Sequence, residues 1–387
     1  MARRPRYVVH RPQKRPVVAR VAELEIERLG ARGDGIGQFN GKPVFVPLTL
    51  PGEKVLARIE GKRGDGFTAT ATEWLVQAQD RVKAPCRHFG TCGGCSAQHI
   101  KDSSYVAWKR GIAVEALGRV GIPENLIAPL MRVPPGTRRR ATFAFKKSRD
   151  GLAQDRSTPS QPSDSALNVN PSLEQIDRAD SRHQSKPPSG FDFRRPALVL
   201  GFNAQASHNI VDILECPLLT PDLTTALPML RQGLAELFPD AIQGDLMVQA
   251  TEAGLDVLIV AEAPLDLFRR ECLARLVHRP DLAQDRSTKQ IARISWQSPA
   301  GGEIEPVAER QTPVVILGGI AVTPPPGAFL QPSQEGEAAI AAQVVSGLAG
   351  LEGPVLDLYC GIGSFSLPLA AHHAVHAVDG NPAAIAA

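Results

Sequence analysis

The sequence predicts a mixed multidomain fold. An OB-like antiparallel β-barrel comes first, then a central α+β region, then the start of a Rossmann-like α/β domain. Three observations predict this. Short β-like runs separated by Gly-rich turns fill residues 21–79, and a tight cysteine set follows from Cys86 to Cys95. Near the C-terminus an apolar run breaks at Gly361-Ile-Gly363 and leads into a helical segment and a second apolar strand. A length of 387 residues is a soft prior for about two or three domains. At 43% hydrophobic and 21% charged, the chain has enough apolar material for cores and is not disordered throughout. No run approaches the roughly 18 apolar residues of a membrane span, and the basic N-terminus has no apolar stretch of a signal peptide. A cytoplasmic protein without membrane contact is expected.

The net charge of +3 averages over an uneven chain. Residues 1–20 carry Arg3, Arg4, Arg6, Arg11, Lys14, Arg15 and Arg20 with no acid, so a solvated basic arm is expected. Such an arm suits phosphate contacts or simple solubility. In the barrel, strands are expected over Ala22–Ile26, Lys42–Val46, Lys54–Ile59 and Phe67–Leu75. Lys54, Arg58, Lys62 and Arg63 would give one face a positive potential, as nucleic-acid binding needs; a purely structural barrel is the alternative.

The central region is expected to span 80–325. Its cysteines Cys86, Cys92 and Cys95 stand in C-x5-C-x2-C spacing, and Gly93 and Gly94 relieve crowding where two sulfurs are aimed together. Thiolates this close repel unless a soft metal or cluster neutralises them. Cys216, between Glu215 and Pro217, is the best fourth ligand. Iron–sulfur ligation by four Cys fits, and so does zinc, with His88 and His99 as possible ligands. Cys272 falls in the apolar helical stretch Leu267–Val277 and reads as a core thiol. Arg138, Arg139 and Arg140, with Lys146 and Lys147, bracket Phe143 and Phe145 in an alternating strand. Basic groups beside aromatics suit single-stranded RNA; a solvated strand end is the other reading. Residues 150–190 are Ser-, Pro-, Asn- and Gln-rich and read as a disordered insertion. The heptapeptide LAQDRST, at Leu152–Thr158 and again at Leu282–Thr288, marks this insertion and a short one over 281–289 as inserted elements without a catalytic role.

The last region, 326–387, opens with a helix expected over Glu335–Gly350, with Ile340, Val344, Val345 and Leu348 on one face. A strand up to Leu358, a helix over Ser364–Ala371 and a second strand over Ala374–Val378 make a βαβ unit closed by Asp379. Ser366 stands where a dinucleotide site prefers glycine. Gly361, Gly363 and an acid at Asp379 therefore fit S-adenosylmethionine (SAM) better; an ordinary tight turn is the alternative. Two parallel strands cannot cover both faces of a doubly wound sheet, so exposed apolar surface is expected here.

Taken together, these residues resemble the RNA uracil-5-methyltransferases that carry a TRAM domain and an iron–sulfur cluster, such as those acting on 23S ribosomal RNA. The segments carrying the resemblance are the cysteine set, His208-Asn-Ile-Val-Asp-Ile-Leu-Glu-Cys216-Pro, Gly327-Ala-Phe-Leu-Gln331 and Asp357-Leu-Tyr-Cys-Gly-Ile-Gly363. The resemblance implies a [4Fe–4S] cluster on Cys86, Cys92, Cys95 and Cys216. It also implies a SAM pocket lined by Gln331, Tyr359, Ser364 and Asp379, an RNA partner (23S rRNA or tRNA) and action as a monomer. The family's chemistry adds a Cys thiolate to C6 of the uracil before C5 takes the methyl group. By the same resemblance that thiolate lies in a Ser-Cys-Asn-Pro-like segment downstream of the SAM turn, with the base later still. Residues 1–387 hold neither, so no methyl transfer is expected from this chain by itself, and Cys360, inside the turn, is no substitute. The rival reading is a non-catalytic iron–sulfur or zinc RNA-binding protein.

Overall fold

The computed structural model describes residues 20–148, 198–278 and 289–387. The basic arm, both LAQDRST copies and the insertion expected over 150–190 lie outside the described residues, except for Arg20. Six strands form the N-terminal sheet: β1 (Arg20–Glu25), β2 (Arg28–Leu29), β3 (Gly35–Phe39), β4 (Lys42–Val46), β5 (Lys54–Arg63) and β6 (Gly66–Val76). They lie in the order β1-β5-β6-β4-β3-β2, with β4 and β6 parallel and the other pairs antiparallel. β5 shows the physical basis: Val55, Ala57 and Ile59 turn inward while Lys54, Arg58 and Lys62 face solvent. The inward side chains meet Leu24, Ile26, Val44 and Val46 in one core, each burial contributing roughly 1.5–3 kcal/mol. The basic face is less positive than expected. Lys54 pairs with Glu25, Arg58 with Glu60 and Arg63 with Asp34.

One carboxylate organises the barrel's exit. Glu53 is fully buried and accepts from Leu50 N at 2.9 Å, Trp74 Nε1 at 3.0 Å and Arg81 Nη2 at 2.8 Å. Burial alone would raise its pKa, but the Arg81 and Leu50 hydrogen bonds outweigh burial and hold the carboxyl below its ordinary value. His99, 2% exposed, has neither ring nitrogen hydrogen-bonded and packs 5.3 Å from the Phe89 ring. Burial first, and the Arg81 charge second, depress it to about 4.

Helix α1 (Asp102–Gly118) follows and buries no residue. It is tied to the barrel by Trp108 Nε1, which donates to Gly30 O at 3.2 Å. The central sheet comprises β7 (Arg140–Lys147), β8 (Leu198–Asn203), β9 (Ile210–Asp212), β10 (Ile242–Thr251), β11 (Gly254–Ala261), β12 (Ile291–Gln297) and β13 (Glu305–Glu309). Its order is β13-β12-β11-β10-β7-β8-β9, and only β11 and β12 run parallel. Helices α2 (Pro221–Leu237) and α3 (Leu267–His278) pack against the sheet and share its core. The expected alternation in β7 is present, but Phe143 and Phe145 are its fully buried face. Lys147 donates to Ala235 O and Phe238 O. Phe143, Phe145 and Lys147 of β7 therefore serve the core, while Lys146 is exposed.

The chain then forms the hairpin β14 (Val315–Leu317) and β15 (Ile320–Val322), helix α4 (Gln334–Gly347), β16 (Val355–Leu358), α5 (Ser366–Ala370), β17 (Val375–Val378) and α6 (Pro382–Ile385). β16 and β17 are parallel, pairing Leu358 with Val378. The stripe expected on α4 is not its buried face: Ile340 is exposed, and Glu337 and Ala341 are the residues turned inward. Leu356, Leu358 and Val378 are each more than half exposed, as two uncovered parallel strands require. Among the described residues no helix is long and apolar enough to cross a membrane.

The junction of Glu53, Arg81 and His99 makes this region acid-labile, with a sign fixed by linkage. Neutral His99 stabilises the fold fully above its ordinary value of 6.5, and that contribution is lost as pH falls from 6.5 towards about 4. Glu53 contributes above 4.5 and is lost at still lower pH. In urea titrations across this range, His99→Phe should flatten the upper part of the stability profile and leave the lower part. An unchanged profile would refute the assignment.

Candidate functional site

The glycine turn is built on the βαβ unit. Gly361 and Gly363 adopt φ of 57° and 94°, a left-handed conformation that an L side chain resists, and nothing lies within 4 Å of where a Cβ on Gly361 would be. The open space above Gly361 is what a closely approaching ligand needs. Asp379, at the end of β17, closes the turn: Gly361 N donates to its Oδ2 at 2.9 Å and Asn381 N to its Oδ1 at 2.8 Å. The backbone bonds from Asn381 and Gly361 hold the carboxyl below its ordinary range. It is therefore anionic at neutral pH, and each oxygen keeps a lone pair for a hydroxyl donor. Ser366 is buried and donates to Asp357 Oδ2 at 2.5 Å, locking helix α5 onto β16. Tyr359 is 90% exposed at φ 62°, so its ring is presented at the mouth of the turn.

Ser364 and Gln331 reach the same place through a network not foreseen from sequence. Ser364 Oγ donates to Glu337 Oε1 at 2.7 Å, while Arg139 Nη2 donates to Glu337 Oε2 at 2.7 Å. Arg139 Nε also donates to Gln331 O at 3.2 Å, and Arg139 N to Pro332 O at 2.7 Å. Arg139 and Glu337 are both buried. Ser333, the N-cap of α4, accepts from Gly336 N. That capping signal is readable in the sequence, but the burial of Glu337 against a partner 198 positions away is not.

The four cysteines come together. Cys86, Cys92 and Cys95 lie in a loop whose Gly93 N donates to Asn203 O at 2.9 Å, and Cys92 bridges to Ala204 beyond β8. Arg87 pairs with Glu215 at 3.2 Å, which brings the Cys216 segment alongside. All four thiols are free. Burial raises Cys92 and Cys95, and the charges of Cys86 and Cys216 raise both further. The four sulfurs therefore lie within electrostatic reach of one another. Among the described residues no group of three or more His, Cys, Asp or Glu is gathered so as to hold a metal ion. His99, with its ring packed on Phe89, is not part of such a group. Cys272 is half-buried against the central core, as a packing thiol should be. Cys360 is buried; burial first, then Asp357 and Asp379, push its thiol up, the reverse of an activated nucleophile.

Residues 17–65 match the TRAM domain. An uncharacterized RNA methyltransferase of Brucella suis is 34% identical over 369 residues, covering 95% of this chain and 72% of the relative. The chain belongs to the TRAM-domain RNA methyltransferase family. A 23S rRNA (uracil(1939)-C(5))-methyltransferase of Halomonas elongata is 30% identical, over 94% of this chain and 66% of that protein. The crystal structure of the Pyrococcus abyssi tRNA (uracil-54, C5)-methyltransferase with S-adenosyl-L-homocysteine superposes with a TM-score of 0.56 at 19% identity, covering 94% of this chain and 74% of that one. Its likeness is one of fold. For this RNA methyltransferase the pair Arg139–Glu337 is the joint between the central sheet and the glycine turn.

Removing one member of a buried ion pair strands the other charge, at about 3–5 kcal/mol. Glu337→Met should cost that much in urea denaturation. The double variant Arg139→Met, Glu337→Met should recover most of it, and an additive double variant would show that the two residues do not act as a pair.

Proposed function

We propose that this chain is the RNA- and cofactor-binding body of a SAM-dependent methyltransferase that acts on C5 of a uridine in ribosomal RNA. The observation that carries the reading is the turn closed by Asp379, with open space over Gly361 and with Tyr359, Ser364 and Gln331 around it. The uridine-C5 chemistry is supported by the printed activity of the Halomonas relative. SAM, when bound, supplies the electrophilic methyl group. Asp379 would accept from its ribose hydroxyls, and the glycines would admit its backbone-proximal edge. Tyr359 would cover it from the solvent side. In the reaction a thiolate adds to C6 of an unstacked uridine, C5 takes the methyl group, a base removes the C5 proton and the thiolate leaves. Neither thiolate nor base is assigned to any residue between 1 and 387.

Cys86, Cys92, Cys95 and Cys216 would hold a [4Fe–4S] cluster. The four thiols are free, and Cys86 and Cys216 are near enough to act on both Cys92 and Cys95, which supports the reading. The cluster would tie the Cys92 loop to the segment after β9. A rRNA modifier of this kind works in the cytoplasm, as a monomer.

Asp379→Asn should weaken SAM binding by roughly ten- to a hundredfold in titration calorimetry, the range for a hydrogen bond to a charged group. Wild-type affinity in that variant would remove Asp379 from the site. Anaerobically purified protein should be brown with broad visible absorbance and contain about four irons. A colourless, zinc-loaded protein would exclude the cluster.

A further inference from the structure

A groove of about 580 Å³ runs between α1 and the cysteine loop, outside the cofactor turn. Tyr105, Lys109, Arg132 and Arg138 line it, with Asp102 and the wall of Cys95. Arg132 pairs with Asp102 and also lies 4.6 Å from the Tyr105 ring centroid, which makes a stacked platform. Lys109 sits 4.6 Å from the Trp108 ring and 5.9 Å from Tyr105. Among the described residues neither Lys109 nor Arg138 pairs with a carboxylate. Arg138 is held by its backbone: its N donates to Leu218 O and its carbonyl accepts from Thr220 N. Its exposed side chain is thus fixed at the groove without being used by the fold. Another groove beside α1, of about 490 Å³, is less suited to a polyanion, because Arg63 pairs there with Asp34 and Arg119 with Glu115.

We propose that the Tyr105–Lys109–Arg132–Arg138 groove is a subsite for an unstacked nucleotide of single-stranded RNA flanking the target uridine. Its base stacks on the Arg132–Tyr105 platform, and its neighbouring phosphates lie on Lys109 and Arg138. This rests on the reading of the chain as the RNA-binding body of a methyltransferase. Two properties favour a nucleotide over a generic anion. The Arg132–Tyr105 platform and the cations Lys109 and Arg138 line one groove, which is the combination single strands use. The far wall is Pro332 and Ser333, directly after Gln331, so a strand leaving the groove arrives at the cofactor segment.

The test uses the whole 387-residue chain and a fluorescein-labelled single-stranded RNA of roughly twelve nucleotides, within the span such sites cover. Anisotropy is read at several salt concentrations, and SAM affinity is measured in parallel. Tyr105→Ala should weaken binding about tenfold with the salt slope unchanged, and Tyr105→Phe should bind as wild type. Lys109→Gln and Arg138→Gln should each weaken binding and lower the slope of log K against log salt by about one. SAM affinity should not move in any of them. If Tyr105→Ala fails to fold, the two cation variants, at residues the core does not use, carry the test alone. Wild-type RNA affinity in Lys109→Gln and Arg138→Gln overturns the groove while leaving the RNA reading intact. A wild-type chain that binds no RNA overturns both.

Discussion

The buried Arg139–Glu337 pair fixes where the glycine turn of the βαβ unit sits. Arg139 is the residue before β7, which pairs with the central strand β10 of the seven-stranded sheet, so its position is set by the central core. Glu337 lies on the inward face of α4, and its second oxygen receives Ser364. One ion pair thereby transmits the placement of the central sheet to the helix, the Gln331 segment and the glycine turn at once. The geometry is planar and charge-assisted, which makes it directional as apolar contact is not. The β16–β17 pair has little core of its own, with Leu356, Leu358 and Val378 open to solvent. Its orientation therefore depends on this joint together with the small apolar cluster of Leu330, Ile362 and Ala384.

The cysteine site obeys a different constraint. Four thiols near one another do not stabilise a chain; burial first, and the neighbouring cysteines after it, push Cys92 and Cys95 up. What brings them together is ordinary: the Arg87–Glu215 pair, the Gly93–Asn203 hydrogen bond and the Cys92–Ala204 bridge. Stability elsewhere offsets a local repulsion, a pattern expected where a group is to be bound.

Much of this was legible in the sequence, where local rules decide. Four of the six barrel strands and the βαβ unit follow from spacing, turns and alternation. β2 and β3 were missed because one is two residues long and the other begins Gly-Ile-Gly. The inward face of α4 was misread because its partners are polar; an apolar stripe at Ile340 and Val344 says nothing of a buried glutamate facing an arginine far away in sequence. The basic residues around Phe143 and Phe145 misled for a related reason, since periodicity marks a buried face but not which long side chains fold back onto backbone carbonyls. Tyr105, Trp108 and Lys109 carried a readable signal, aromatics three apart on a helix beside a lysine. They drew no attention because α1 has no apolar stripe.

That last property has an evolutionary consequence. A helix that buries nothing contributes little to the core, and surface substitutions on it usually change stability by no more than about 0.5 kcal/mol. Trp108 anchors α1 to the barrel, and most of its other positions are free to drift. A lineage could therefore retune which polyanion lies along this wall without refolding the sheet behind it. Divergence among relatives should accordingly concentrate along α1 rather than at Arg139, Glu337 or the turn they hold.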